Sequence, residues 1–331
     1  MKVLPWLCAA LVSAAVLVAS DVGKAEEGVS DIKIALSSSN MGLAPVRYAQ
    51  TTGLFKKHGI NAELITMDSG NATMAAIISG SAQFGGPGLS EAVIARARGQ
   101  KIVIVANVIR GLSMEMVVSK AVADRSGASA SSSLSARLKG LQGINVALPS
   151  ATSPSVAAFR GAASAAGVTF NNVYMAQTSM VAALEAGAID AMVAGPPYWL
   201  SPVNNGRGFI WLSAPRGDIP NQYNTASSAC LQATEEYAKA NPKIVAGVRA
   251  AMVEFAEIAT KYPERIEAWF AKTYPQMDEA SIKLIVAELT PAWTYPLIQS
   301  SDISKEVEIL KSAGIVVPGI DKVDPRSLVE F

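Results

Sequence analysis

Two separate segments of the chain repeat one local pattern, and this repeat limits the fold more than any other sequence feature. Residues 75–90, AAIISGSAQFGGPGLS, and residues 182–199, AALEAGAIDAMVAGPPYW, each begin with helix formers that stop at a glycine, Gly80 or Gly187. A short segment follows in each case, and the chain then enters a loop of Gly and Pro. A helix that ends at glycine before a short strand is typical of alternating helices and strands. The sequence therefore predicts two units of the same kind.

Strand and helix patterns alternate around both copies. Short strands are predicted at 31–36, 60–67 and 101–108, and again at 143–149, 171–176 and 188–194. Helix patterns lie between most of them, including one over 44–59 and one over 179–187. A Ser/Ala-rich segment without a period predicts a surface loop over 121–136. Alternation of this type predicts mostly parallel sheets with helices on both faces. We therefore expect an α/β fold of two Rossmann-like lobes with mixed, mostly parallel sheets.

The size and composition of the chain agree with two lobes. A length of 331 residues and a hydrophobic content of 50% allow a large core, and chains of this size tend to divide. Aromatic residues make up only 6% of the sequence. Ala-rich helices packed on a sheet fit this composition better than a β-sandwich does.

The first 25 residues match a secretory signal peptide. Lys2 precedes an apolar run over residues 3–19, and small and polar residues follow up to Ala25. This order predicts export to the periplasm with cleavage after Ala25, or alternatively after Ser20. A retained membrane anchor is the other interpretation, although the run is short for a spanning helix. Cys8 lies too early in the segment for a lipid-attachment site.

Charge and reactive side chains exclude several function classes. Removal of residues 1–25 takes away two basic side chains and one acidic one, so the mature chain has no net charge and no basic run for nucleic acid. Cys230 is then the one remaining cysteine, and its neighbours predict a buried strand residue. The single histidine, His58, is predicted at an exposed helix end without partners for a catalytic triad or a metal site. No phosphate-binding loop motif occurs, so no cofactor is expected.

Three segments together resemble a known family. They are GLFKKHGINAELITMDSGNATMAAIISGSAQFGG from residue 53, GINVALPSATSPS from residue 143, and ALEAGAIDAMVAGPPYW from residue 183. In this order they are similar to the periplasmic solute-binding proteins of the nitrate, sulfonate and taurine type, which are related to the thiamine-precursor-binding NMT1/THI5-like proteins. The resemblance extends from Asp31 into the C-terminal helices.

This resemblance implies a type II periplasmic binding protein, in which two lobes joined by two hinge crossovers close over a small solute. The crossovers are expected near 111–118 and 218–226. Lobe 1 would comprise residues 26–114 and 224–331, and lobe 2 would comprise residues 115–223. The implied partner is the permease of an ABC importer in the inner membrane, and we expect a monomer without enzymatic activity.

Two alternatives to an importer component stay open. One is a thiamine-pyrimidine precursor-binding protein, or an enzyme of the related eukaryotic synthase type on the same fold. Those synthases carry a Cys-rich segment with an active-site His and Lys, whereas the mature chain here has one cysteine and one histidine. The other alternative is a solute sensor that docks on a membrane receptor.

Polar residues in the loops after predicted strands are the candidate ligand contacts. Hydroxyl and amide side chains beside the free N–H groups of a helix start suit the oxygens of a carboxylate, a sulfonate or nitrate. Helix capping alone is the alternative role for each Ser or Thr. The candidates are Ser39, Asn40, Gly70, Asn71, Thr73, Pro87, Gly88, Ser113, Ser150, Thr152, Ser153, Pro197 and Tyr198.

Arg110 is the strongest single candidate for binding an anion. It follows the strand predicted at 101–108, at the expected first crossover, where a guanidinium could bind an anionic group through two hydrogen bonds. The alternatives are a solvated surface position and an ion pair with Glu115. Aromatic residues could form a wall for an organic ligand, or pack in the core; they are Tyr198, Trp199, Trp293 and Tyr295. The expected solute is a small organic sulfonate or carboxylate.

Overall fold

The computed structural model describes residues 29–331, and all structural statements below refer to this range. The signal peptide predicted for residues 1–25 and Cys8 lie outside the described residues. No helix among residues 29–331 is long and apolar enough to cross a membrane.

The described chain contains ten strands and fourteen α-helices. The strands are β1 (Ser30–Leu36), β2 (Ile60–Thr66), β3 (Phe84–Gly86), β4 (Ile102–Arg110), β5 (Glu115–Ser119), β6 (Asn145–Leu148), β7 (Asn171–Tyr174), β8 (Ala191–Ala194), β9 (Gly208–Ser213) and β10 (Ser227–Thr234). The helices are α1 (Ala44–Thr51), α2 (Leu54–Lys57), α3 (Gly70–Ile78), α4 (Leu89–Ala97), α5 (Lys120–Ser126), α6 (Leu134–Lys139), α7 (Pro154–Ala165), α8 (Gln177–Glu185), α9 (Leu200–Asn204), α10 (Glu235–Ala240), α11 (Pro242–Lys261), α12 (Pro263–Thr273), α13 (Glu279–Trp293) and α14 (Ser300–Ser312).

The strands form two sheets with the same topology. The first has the order β2-β1-β3-β10-β4, with β1 parallel to its two neighbours and β10 antiparallel to both β3 and β4. The second has the order β7-β6-β8-β5-β9, with β6 parallel to its neighbours and β5 antiparallel to β8 and β9. In each sheet the antiparallel strand is the one that arrives from the other sheet. The expected α/β architecture of two lobes is confirmed, and we call the first sheet with its helices lobe 1 and the second lobe 2.

Two connections join the lobes and run side by side. Residues 111–114 link β4 to β5, and residues 214–226 link β9 to β10. The N–H of Gly111 donates to the carbonyl of Ala226 at 3.1 Å, and the N–H of Leu112 donates to Asn224 Oδ1 at 3.1 Å. Paired connections of this type are suited to a hinge, because a few residues can absorb the rotation. We retain 26–114 with 224–331, and 115–223, as proposed bounds of the lobes.

Two sequence predictions of local structure were wrong in detail, and one strand was not predicted. The predicted single helix over 44–59 is divided into α1 and α2 at Gly53, whose φ of +79° is unfavourable for other residues. The segment 121–136, predicted as a loop, holds most of α5 and the start of α6, which are capped by Ser119 and Ser133. Strand β9 had no counterpart in the sequence analysis, although its residues GFIWLS are mostly apolar.

A partly buried ion pair fixes the second connection to lobe 2. Arg137, near the end of α6, donates from both terminal nitrogens to the two carboxylate oxygens of Asp218, at 2.8 Å and 2.6 Å. Burial acts to raise the pKa of Asp218, but the hydrogen bonds from Arg137 and from the N–H of Ser213 outweigh it and lower that pKa. The pair therefore holds residues 214–226 against the sheet of lobe 2.

Replacement of Asp218 with Asn is expected to lower the free energy of unfolding by about 2 kcal/mol, because a partly buried, charged pair of hydrogen bonds is lost. Urea denaturation would measure it. The matched control is Asp124→Asn, which breaks the Lys120–Asp124 pair, whose side chains are both 62% exposed. That change is expected to cost about 0.5 kcal/mol or less. Equal effects of the two substitutions would contradict a structural role for the Asp218 pair.

Candidate ligand-binding cleft

A small cavity lies between the lobes, at the place where several helices begin. Its volume is about 40 Å³, and its lining comes from both lobes. Gly70 is the first residue of α3 and Gly88 precedes α4, while Ser153 precedes α7 and Gln177 begins α8. In sheets with parallel strands, ligands bind beyond the carboxyl ends of the strands, where these helix starts converge. The cavity therefore occupies the position expected for a ligand site.

On one side of the cavity the lobes touch through the loop before α1. Asn40 packs against Gly195 so closely that three of its side-chain atoms lie within 3.0 Å of the position that a Cβ on residue 195 would take. The N–H of Met41 donates to the carbonyl of Pro196 at 2.8 Å. The N–H of Ser39 donates to the Tyr198 hydroxyl at 3.2 Å. We call this contact the Asn40 seam.

On the other side the lobes touch through the starts of α3 and α7. The hydroxyl of Thr152 in lobe 2 donates to Asn71 Oδ1 in lobe 1. Pro154, at the start of α7, lies so close to Gly88 that a Cβ on the glycine would overlap its ring. With contacts on both sides of the cavity, the structure represents a closed cleft.

Glu91 is the charged side chain of the cavity lining. It is the third residue of α4, and only 4% of its surface is exposed. Its carboxyl lies against Gly70 and Gly88; a Cβ on Gly88 would lie 2.6 Å from Oε2. Burial raises the pKa of Glu91 to about 8, and the nearby Glu306 adds to this, while backbone N–H groups and the Ser150 hydroxyl act to lower it. Its Oε2 has no hydrogen-bond partner among the described residues.

Glu306 lies behind Glu91 and is bonded differently. The hydroxyl of Ser90 donates to its Oε1, and the hydroxyl of Thr225 donates to its Oε2 at 2.5 Å. Burial raises its pKa, and these two hydroxyls act to lower it. Cys230 is fully buried in the same region, and burial raises its thiol pKa to about 12, which confirms the prediction of a buried strand cysteine.

Of the predicted contact residues, five line the cavity: Asn40, Gly70, Gly88, Ser113 and Ser153. Ser39, Asn71, Thr152 and Tyr198 instead form hydrogen bonds between the lobes. Pro87, Pro197, Ser150 and Thr73 are outside the lining, and the Thr73 hydroxyl donates to the carbonyl of Ser69 within the helix start. The assignment of all these residues to ligand binding stays a prediction.

The structure places Arg110 away from the cavity lining. Its guanidinium carbon lies 3.8 Å from the ring centroid of Tyr295, and the residue is exposed. The alternative ion pair is also absent among the described residues, because Glu115 is buried and its Oε2 has no partner. The physical reason is that Arg110 is the last residue of edge strand β4, where its side chain extends over an aromatic ring at the surface.

The other aromatic candidates also lie outside the lining. Trp293 is buried in lobe 1, where its indole N–H donates to the carbonyl of Gly42 at 2.9 Å. Trp199 packs in the core of lobe 2. The core-packing interpretation therefore accounts for both tryptophans.

Sequence reasoning missed the other residues of the lining, among them Glu91, Met114, Gln177 and Ser228. The signal for Gln177 was its place at the start of a predicted helix, and its Oε1 accepts from the N–H of Gly195 at 3.1 Å. Glu91 gave no such signal, because an acidic residue in the first turn of a helix is ordinarily a solvated one.

Residues 29–331 contain no group of three His, Cys, Asp or Glu side chains that could hold a metal ion. His58 differs from its predicted exposed position: it is partly buried and its Nε2 lies 2.9 Å from Glu254 Oε2, far along the chain on α11. This pair belongs to the packing of α2 against α11 in lobe 1.

Comparison with known proteins assigns a family. Residues 27–271 match the model of the NMT1-like family. The chain belongs to the NMT1-like family. No curated protein sequence matches this NMT1-like protein.

Solved structures similar to this NMT1-like protein have the periplasmic binding protein fold. The alkanesulfonate-binding protein SsuA from Xanthomonas axonopodis pv. citri, bound to MOPS, has a TM-score of 0.72 at 14% identity and covers 91% of this chain and 98% of its own. A Candida albicans protein described as having the generic periplasmic binding protein fold has a TM-score of 0.67 at 13% identity, with 91% and 96% covered. The nitrate-binding protein NrtA from Synechocystis PCC 6803 has a TM-score of 0.58 at 16% identity, with 76% and 68% covered.

Proposed function

We propose that this protein is the solute-binding component of an ABC importer, exported to the periplasm, which captures a small organic molecule between its lobes. The observation that carries the proposal is the closed cleft, whose cavity is lined by helix starts from both lobes and bounded by direct contacts between them. Ligand contacts to both lobes stabilise a closed state relative to an open one. The binding proteins among the similar structures support the same role.

We propose binding rather than catalysis for the cleft. A nucleophilic cysteine requires a lowered pKa and an accessible thiol, whereas Cys230 is fully buried with a pKa of about 12. His58 lies on α2 in contact with Glu254 and outside the cavity lining. These positions argue against the synthase-type alternative.

Two observations bear on the charge of the solute, and they point in opposite directions. The names of two similar structures, an alkanesulfonate-binding protein and a nitrate-binding protein, support the anionic class of solute expected from the sequence. That expectation depended on Arg110 and on the hydroxyl-rich helix starts. Arg110 is outside the lining, whereas Glu91 is inside it. Sulfonates, carboxylates, nitrate and pyrimidines are therefore the probes of a first screen, together with amines and amidines.

A screen by thermal unfolding tests the proposed function. Compounds that bind the folded protein are expected to raise the midpoint of unfolding with concentration, and small-angle scattering should then show the radius of gyration of a closed form. Deletion of the gene should abolish cellular uptake of the same compounds. Chemical conversion of a binder by the purified protein, or unchanged uptake after deletion, would contradict the proposal.

A further inference from the structure

We propose that the cleft recognises a cationic group with N–H donors, such as an ammonium or amidinium group, through the carboxylate of Glu91. This inference depends on the proposed solute-binding function and names the chemical class of the solute. It differs from the anionic class expected from the sequence.

Glu91 belongs to the cavity lining, and one of its two carboxyl oxygens has no hydrogen-bond partner within bonding distance among the described residues, although the Ser150 hydroxyl lies nearby. This oxygen, Oε2, is buried. A buried polar atom without a partner is costly, and such atoms in folded proteins are expected to have a missing partner. Ser228 Oγ, which also belongs to a residue of the lining, is likewise buried without a partner among the described residues.

Glu306 and Glu91 are neighbouring buried carboxyls, but they differ in their hydrogen bonds. This difference distinguishes a structural carboxyl from one that can bind a ligand. Both oxygens of Glu306 accept hydrogen bonds from hydroxyl groups of the protein, and the residue is outside the cavity lining. Glu91 lies in the lining, and its Oε2 has no such partner. Of the two neighbouring carboxyls, the one beside the cavity is therefore the one with a hydrogen bond still to be made.

The starts of α3 and α4 lie beside the Glu91 carboxyl. Helix N-termini attract anions, and for this reason Gly70 and Gly88 are predicted from the sequence to contact an anionic solute. In the structure, these two glycines contact the Glu91 carboxyl, which has space there because neither residue has a Cβ. When Glu91 is ionised, the negative charge at the starts of α3 and α4 is therefore supplied by the protein itself.

The cavity lining as a whole contains no basic side chain among the described residues. Glu91 is its one ionisable acidic or basic side chain among the described residues, since the other lining residues are Ser, Asn, Gln, Gly and apolar types. Arg47, the basic residue nearest in sequence to the Asn40 seam, donates instead to the carbonyls of Ser38 and Asn40. An anionic solute would meet a carboxyl without a compensating cation, whereas a cationic one would form an ion pair with hydrogen bonds.

The size of the cavity fits a head group. A cavity of about 40 Å³ is larger than the roughly 10–15 Å³ that is needed to hold one water molecule, so it has room for a group of a few heavy atoms. An amidinium group presents N–H donors in one plane, which allows bonds to Glu91 Oε2 and to the Ser228 hydroxyl together.

Three probes of nearly equal shape test the inference: acetamidinium, acetamide and acetate. At pH 8, acetamidinium is expected to raise the unfolding midpoint of the full protein and to bind at least 10-fold more tightly than acetate by calorimetry. Glu91→Gln is expected to weaken acetamidinium at least 30-fold, because an amide is a neutral partner. Glu306→Gln, the matched control in a neighbouring buried carboxyl, should retain its binding within about threefold.

The pH dependence provides a second readout. Binding of a cation requires ionised Glu91, so acetamidinium affinity should rise at least 10-fold from pH 6 to pH 8 and then level off. The titratable groups facing Glu91 are Glu306 from α14 and Cys230 from β10, and the thiol stays protonated in this range because its pKa is about 12. The other helices that contact Glu91, α3 and α7, add no charged side chain to the lining.

Two results would overturn the inference. One is stronger binding of acetate or methanesulfonate than of acetamidinium by the unmodified protein, especially with affinity that falls as the pH rises. The other is unchanged acetamidinium binding in Glu91→Gln. In the first case the proposed solute-binding function would stand with an anionic ligand, whereas conversion of a bound probe would reject the function itself.

Discussion

A single methyl group at residue 195 is expected to prevent closure of the cleft. In Gly195→Ala, the new Cβ would overlap the side chain of Asn40, of which Nδ2, Cγ and Oδ1 all lie within 3.0 Å of its position. Asn40 has little freedom to move, because it is 3% exposed and its Oδ1 accepts from the N–H of Gly42 at 2.6 Å. The φ angle of Gly195 is not positive, so its backbone conformation is compatible with alanine.

The expected result is a loss of solute affinity of roughly 30-fold or more, since a difference of about 2 kcal/mol in the closing equilibrium has this effect. The folded lobes should stay intact, and the unfolding midpoint without ligand should change little. Small-angle scattering with a saturating binder would show a larger radius of gyration than the unmodified protein.

The double variant Asn40→Ala with Gly195→Ala is the matched control. It removes all three atoms that the new Cβ would meet. Its affinity should equal that of Asn40→Ala alone, which isolates the steric conflict from the loss of the hydrogen bond to Gly42. If Gly195→Ala binds as tightly as the unmodified protein, the Asn40 seam does not form in the ligand-bound state.

Stability of the ligand-free protein is expected to decrease as the pH rises from 5 to 9. Burial raises the pKa of Glu91 to about 8, and burial together with the nearby Glu288 raises the pKa of Glu115 to about 8. The ordinary glutamate value of 4.5 applies in the unfolded chain. Between pH 4.5 and 8, these two carboxyls are protonated in the folded protein but ionised in the unfolded chain. Their contribution to the free energy of unfolding is therefore complete below pH 4.5 and is lost as the pH rises to 8.

The expected size of the loss is roughly 5 kcal/mol for the two carboxyls together. The shift from 4.5 to about 8 would give nearly this much for each group, at about 1.4 kcal/mol per pH unit, but opening of the cleft can hydrate Glu91 and reduce the cost. Carboxyls whose pKa is lowered, such as Asp218, are ionised in both states above pH 5 and do not change this slope.

Urea denaturation at pH 5, 7 and 9 would measure the dependence. Glu115→Gln and Glu91→Gln should each flatten the curve, because an amide does not titrate. Glu279→Gln, whose side chain is 81% exposed, should leave the curve unchanged. Stability that is constant or rises up to pH 9 in the unmodified protein would show that these carboxyls are hydrated in solution.

Strands and helices were predicted well where the residues of one segment were enough to identify the element. The strands around 31–36, 60–67 and 143–149 stood out as short apolar segments between helix patterns. Strands β2 and β6 lie within those limits, and β1 begins one residue earlier, at Ser30. The segment 121–136 failed because Ser119 and Ser133 act as helix caps, and a run of Ser and Ala has no apolar period that would show it. The break at Gly53 was missed since the residues on both sides favour a helix.

The candidate site was predicted only in part. Asn40, Gly70 and Gly88 were named for the free N–H groups at helix starts, and they do line the cavity. The contact of Glu91 with Gly70 and Gly88 could not be predicted from the sequence. Glu91 is preceded by Leu and Ser in a helix start that resembles a solvated one. Arg110 was chosen for its position after a strand, but β4 is an edge strand, and the order of strands is not readable from one segment.

The sequence by itself determined the two repeated units, the alternation of strands and helices and the glycines that end the helices, since each depends on neighbours within a few residues. Only the tertiary structure decided which side chains share the cleft and which charge it holds. A carboxyl is buried, and its pKa is raised, by groups brought from distant parts of the chain: for Glu91 these are α3, the start of α7 and α14. Packing of those elements, rather than the local sequence around residue 91, places an acidic group in the cleft.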